Sequence, residues 1–180
     1  MNSMKNLTLF LALVALMLSV YAQEPLFTES KVNFYNDYAL WIVTMEFKGT
    51  HEQIGVAMKT FVDEFFSQKL VPMGPPVGIF PKEQIQLEGA QVWQLGFPVQ
   101  EKIEVKAPLS IRMIHFPKVA RYIHKGVYAN IGKVHTLFEA NIQTRGLASQ
   151  KEVVLRYLDD PSKMLETEVR TEILIPLQAE

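Results

Sequence analysis

The sequence contains no cysteine. Disulfides, thiolate metal sites, a cysteine nucleophile and a lipidated cysteine are therefore excluded. Charge is nearly balanced, with 18 basic and 19 acidic residues, a net charge of -1 and no long basic run. A non-specific nucleic-acid or anionic-membrane surface is not expected from that balance. Histidine is scarce. His51, His115, His124 and His135 are the four present, none in H-x-x-x-H spacing and none beside an acidic cluster, so a zinc site is not expected. There is no G-x-S-x-G element and no evident Ser/His/Asp order. A phosphate-binding glycine loop is also missing, because "MGPPVG" (73–78) has prolines where backbone donors are needed.

What is present describes a folded chain. Hydrophobic residues make up 48% and charged residues 21%, close to a soluble globular average, so disorder is not expected beyond the ends. The 180 residues suit one domain plus a short extra segment. That segment is residues 1–22. Lys5 supplies a positive start, "LTLFLALVALMLSV" (7–20) is an apolar run without charge, and Val20 and Ala22 are small residues before a cut at Gln23. The run is shorter than the roughly 20 residues that span a bilayer, so a cleaved signal peptide is expected rather than a retained anchor. Its removal takes away one lysine and no acid, leaving 17 basic against 19 acidic residues and a net charge of -2. The expected product is periplasmic or secreted, without a stable membrane anchor. Having no disulfides, it must rely on its core.

Residues 23–38 read as a polar N-terminal link, and a domain follows over 39–178. Its two halves share one pattern. "MEFKGTHEQIGVA" (45–57) matches "YIHKGVYANIGKV" (122–134) at an offset of 77, with Lys48-Gly49 on Lys125-Gly126 and Ile54-Gly55 on Ile131-Gly132. Phe61 falls on Phe138 at the same offset. In repeat 1, about 39–100, Trp41, Val43, Met45 and Phe47 alternate with Ile42, Thr44 and Glu46 as in a strand. Gly49 ends it. Thr50 is the expected N-cap of a helix carrying Ile54, Met58, Phe61, Val62 and Phe65 on one face. "PMGPPVG" (72–78) reads as a loop and "AQVWQLGFPV" (90–99) as a strand. In repeat 2, about 109–178, "KVARYIHKG" (118–126) is a strand, and Ile131, Val134, Phe138 and Ile142 line a helix with Gly146 at its C-cap. "EVVLRYLDDP" (152–161) and "TEVRTEILIPL" (167–177) are strands, and Pro176 lies 78 positions after Pro98. "LSIRM" (109–113) adds a short strand between the halves. The shared Lys-Gly reads as a strand-to-helix turn whose backbone angles only glycine accepts readily.

Each half thus reads strand, helix, strand, strand. Such a unit buries little alone, so the halves should pack together. The expected fold is α+β: two tandem β-α-β-β repeats forming a mostly antiparallel sheet, two main helices on one face, and a cleft between the halves.

The second half resembles the GyrI-like small-molecule-binding family, the AraC-type effector-binding domain. "HKGVY" (124–128) is similar to its His-x-Gly-Pro-Tyr turn with Val127 in place of proline, "YLDDP" (157–161) to its Tyr-x-x-x-Pro segment, and "RTEILIPL" (170–177) to its closing strand. Order and spacing fit across residues 31–178. The resemblance implies a SOUL/GyrI-like fold with a small-molecule ligand in the cleft between repeats. Many members place a glutamate two residues before the tyrosine of Tyr-x-x-x-Pro, where it meets cationic drugs. Here that position is Leu155, which weakens the expectation of a cationic ligand. No helix-turn-helix pattern accompanies the module, so direct transcription regulation is not expected.

The candidate ligand-binding residues are Trp93, Tyr122, Tyr128, Leu155, Tyr157 and Glu172. Aromatics suit a pocket because they combine flat apolar area with a polar edge, although Trp93, Tyr157 and Phe97 serve a core equally well. Ala120, Tyr122 and His124 share one strand face and Val119, Arg121 and Ile123 the other, and the pattern does not say which faces the cleft. Glu172 is either an acid/base group in the cleft or a solvated carboxylate paired with Arg170 or Arg156. Some GyrI-like relatives hydrolyse electrophilic small molecules, which makes Glu172 the candidate general base. The SOUL family binds haem, and a single histidine could ligate its iron, yet a lone histidine is more often structural, so no cofactor is expected. The expected function is binding of a small, largely apolar or aromatic molecule. The alternatives are a hydrolase using the same cleft, or a protein-interaction module with its cleft closed by its own side chains.

Overall fold

The computed structural model describes residues 25–49, 53–85 and 91–178. The expected signal peptide and the Thr50 N-cap lie outside them.

Two repeats of strand, helix, strand, strand are observed. The first is β1 (Asn33–Gly49), α1 (Ile54–Ser67), β2 (Val77–Pro81) and β3 (Gln91–Val99). The second is β4 (Ser110–Lys125), α2 (Ile131–Thr144), β5 (Glu152–Tyr157) and β6 (Arg170–Pro176). All strand pairs are antiparallel, and the sheet closes into a barrel in the order β1-β3-β2-β5-β6-β4. Exchanging the repeats returns the same order, so the barrel has an internal two-fold relation. The registers obey it. Ile42 pairs with Pro98, and Val119, 77 positions later, pairs with Pro176. One end of the axis passes through the Gly78–Leu155 pair that joins β2 to β5.

Each strand row serves one of two cores. Both helices contribute to the larger one, through Phe61 and Phe65 of α1 and Val134, Phe138 and Ile142 of α2. A helix cannot fit inside a six-stranded barrel, so this core covers the outer face. Ile42, Val77, Ile79, Phe116, Val119 and Leu174 belong to a second cluster that holds no helical residue and fills the barrel. Within β4, Ala120, Tyr122 and His124 therefore face the helices, while Val119 and Arg121 face inward.

Four features depart from the sequence reading. β1 starts at Asn33, inside the expected link, because residues 33–36 pair with 118–121 of β4. The loop expected over 72–78 gives way at Val77 to a strand, β2, which the sequence pattern does not mark. The 109–113 and 118–126 segments are one strand: Pro117 needs no ladder partner, because the register passes from Asn36–Lys118 to Tyr38–Phe116 and skips Asp37 and Pro117. Of the two Lys-Gly turns, Gly126 has the positive φ (143°) that favours glycine, whereas Gly49 is not among the positive-φ glycines. The α2 C-terminus matches expectation. Gly146 has φ 72°, its N–H donates to Gln143 O, and Leu147 N–H donates to Ile142 O, the paired bonds that close a helix on glycine.

Candidate functional site

The axis at Gly78 and Leu155 marks where the repeats meet on the helix-bearing face. Gly78 lacks a side chain because two others converge above it. A Cβ there would lie 2.6 Å from Phe80 Cε2 and 2.7 Å from Tyr157 Oη. Trp93, Tyr122, Leu155 and Tyr157 all belong to the outer core, and Tyr128 packs against it from the turn before α2. Tyr128 stands edge-on to Tyr157 with ring centroids 5.7 Å apart. Five of the six candidate residues therefore share one face and one cluster.

Glu172 does not join them. Its strand neighbours Thr171 and Ile173 face the helices, so Glu172 points into the barrel, where Arg121 Nε and Arg156 Nη1 donate to its two oxygens, the latter at 2.5 Å. Arg121 also reaches Tyr35 Oη at 3.1 Å. The carboxylate is 2% exposed and both arginines are about a quarter exposed, so this is a charge cluster closing one mouth of the barrel. The expected partner Arg156 is present. Arg170 instead holds Asp159 in a bidentate pair.

The outer face differs between the repeats. In the first, Phe47, Trp93 and Phe80 form an aromatic row across β1, β3 and β2, with centroid separations of 5.3 and 5.8 Å and near-parallel rings. The two-fold relation maps that row onto His124, Thr171 and Tyr157. These three oppose one another on β4, β6 and β5. All three are buried, and His124 Nε2, Thr171 Oγ1 and Tyr157 Oη have no hydrogen-bond partner. Burial pushes the Tyr157 hydroxyl above its ordinary range, and the Tyr128 hydroxyl adds to the effect. Burial pushes His124 down, against a hydrogen bond to the Val127 backbone. At neutral pH the row carries no charge.

A second polar feature flanks α2. A recess of about 350 Å³ is lined by Lys82, Glu83, His135, Thr136, Glu139 and Gln143 among others. Lys82 Nζ and Ser149 Oγ both donate to Glu139 Oε1 at 2.6 Å. Burial raises the Glu139 carboxyl, but these donors outweigh it and hold it below its usual range. His135 is pushed down to about 4, chiefly by burial. Neither residue stood out in the sequence, where both fell on the polar side of a helix pattern. The available signal was their comparison with the apolar repeat-1 counterparts, Met58 and Val62. Among the described residues no group of three or more His, Asp or Glu is placed to hold a metal. No described helix is long and apolar enough to cross a membrane.

No family model matches the sequence, and no curated protein is similar to it. Solved structures do share its fold. The C-terminal domain of EcmrR superposes with a TM-score of 0.70 at 13% identity, covering 83% of this chain and 98% of that domain. A hydrolase from Listeria innocua gives 0.64 at 12% identity, covering 89% and 95%. SAV2435, solved with tetraphenylphosphonium bound, gives 0.53 at 13% identity, covering 82% and 94%. At these identities the likeness fixes the fold, which is compatible with the GyrI-like resemblance.

Proposed function

We propose that this protein binds a small, largely apolar or aromatic molecule at the junction of its two repeats, above Gly78 and Leu155, and that it does so after export. The observation that carries the reading is the buried Tyr157 hydroxyl, which lies without a partner over a glycine and between aromatic rings. An unpaired buried hydroxyl costs free energy that core packing alone would have no reason to retain. The bound cation of SAV2435 shows that this fold can hold an aromatic ligand in another protein. Binding is favoured over hydrolysis because the candidate base, Glu172, is clamped by two arginines on the opposite face of the sheet.

The test is uptake of the neutral fluorescent probe phenylnaphthylamine by a Trp41→Phe variant, in which Trp93 is the sole tryptophan. Saturable fluorescence at one probe per chain, with energy transfer from Trp93, is expected. No uptake by the folded protein would sink the binding reading and favour an interaction module with a closed cleft. Export is checked separately by N-terminal sequencing of the protein from its native cell, which should begin at Gln23.

A further inference from the structure

The two-fold relation sets an aromatic row against a polar row. Phe47, Trp93 and Phe80 offer flat apolar area on one side of the axis. His124, Thr171 and Tyr157 occupy the matching positions on the other. A repeat filled for packing alone would carry apolar groups at both sets of positions, as Phe61 and Phe138 do. Here three neighbouring strands each bring one polar side chain, and each leaves an atom unpaired at 7% exposure or less. Each such atom has given up water without gaining a partner, which costs free energy until it is paired. Cross-strand neighbours stand about 5 Å apart, so the row extends over roughly 10 Å.

We propose that His124, Thr171 and Tyr157 form the polar half of the cleft and select a neutral planar molecule of the amide or lactam kind, whose edge carries both a hydrogen-bond donor and an acceptor. This rests on the binding reading given above. The two hydroxyls can each donate or accept. The Val127 backbone engages the other ring nitrogen of His124, leaving Nε2 as its free position. No residue of the row is charged at neutral pH, and Glu172, the nearest carboxylate in sequence, faces the barrel interior between Arg121 and Arg156. A charged ligand would therefore lose its hydration without gaining a counter-ion. The ligand's ring lies on the Phe80 and Trp93 side, where aromatic surfaces stack well.

The experiment is displacement of phenylnaphthylamine from the full protein by four molecules with the same ring: naphthamide, methylnaphthalene, naphthoate and naphthylmethylamine. Naphthamide should bind at least about tenfold more tightly than the other three. Tyr157→Phe and Thr171→Val should each cut naphthamide affinity about fivefold and leave methylnaphthalene unchanged. Thr171→Val keeps side-chain shape, so a folding defect in one variant does not remove the test. If methylnaphthalene matches naphthamide, or a charged analogue binds best, the polar-half assignment is overturned while the cleft stands. If the probe itself is not taken up, both fall together.

Discussion

Replacing Tyr157 with phenylalanine should make this protein more stable. The ring is in the outer core, 7% exposed, and its hydroxyl has no hydrogen-bond partner. Removing the oxygen removes a buried polar group whose burial costs about 1–3 kcal/mol when unpaired. No donor or acceptor is orphaned in exchange, and the contact with Tyr128 is retained because it is made by the ring. The expected gain is about 1–2 kcal/mol, which in a domain of this size raises Tm by about 2–8 °C. Urea titration at neutral pH measures it, with an unchanged m-value as the control that the unfolded state is unaffected. A gain in stability paired with a loss of affinity for naphthamide is the signature of a group kept for binding. Destabilisation by 1 kcal/mol or more would refute the reasoning, because it would mean that the hydroxyl is already satisfied in the native state.

Gly78→Ala should cost about 1–3 kcal/mol by overpacking, since its Cβ would meet Phe80 and Tyr157 Oη below 3 Å; adding Tyr157→Phe should recover part of it in the same urea assay. Glu172→Gln, which installs the residue of the repeat-1 counterpart Gln94, should destabilise by about 2–3 kcal/mol, less than a fully buried pair because both arginines are partly exposed; an unchanged denaturation midpoint would remove Glu172 from any structural role. His135 has a folded pKa near 4 against an ordinary 6.5, so the unfolded chain takes up the proton first as pH falls. Its burial should therefore cost nothing above about pH 7 and progressively lower stability between about pH 6.5 and 4, by roughly 3 kcal/mol in all. His135→Met, which copies Met58, should flatten the curve over that window, whereas a slope persisting unchanged would assign it to other groups.

The repeat was legible because matching residue types recur at one offset along the chain. Lys48-Gly49 and Lys125-Gly126, the helix apolar faces, Gly146 and the Pro98–Pro176 equivalence are local signals, and strand and helix periods expose them directly. Two strand segments carry no such signals. Val77–Pro81 is a short apolar run buried on both faces, so it shows no alternation. The start of β1 is rich in polar residues, and its strand conformation is imposed by pairing with β4. The join between 109–113 and 118–126 has no local signal, because the tolerance of Pro117 depends on Asp37 across the ladder, a residue 80 positions away.

The sequence by itself determined two halves built on one strand-and-helix pattern, the absence of thiol chemistry, and a set of aromatic residues accompanied by Leu155. Each of these is a property of composition or of neighbours within a few residues. Only the tertiary structure decided that the sheet closes, which face of each strand meets the helices, and hence that Glu172 lies with Arg121 and Arg156 inside the barrel while Tyr157 lies outside it. Alternation divides a strand into two faces, but both faces of this sheet are buried, one by helices and one by closure. Hydrophobicity then cannot label them, and register between distant strands is what sets His124, Thr171 and Tyr157 side by side.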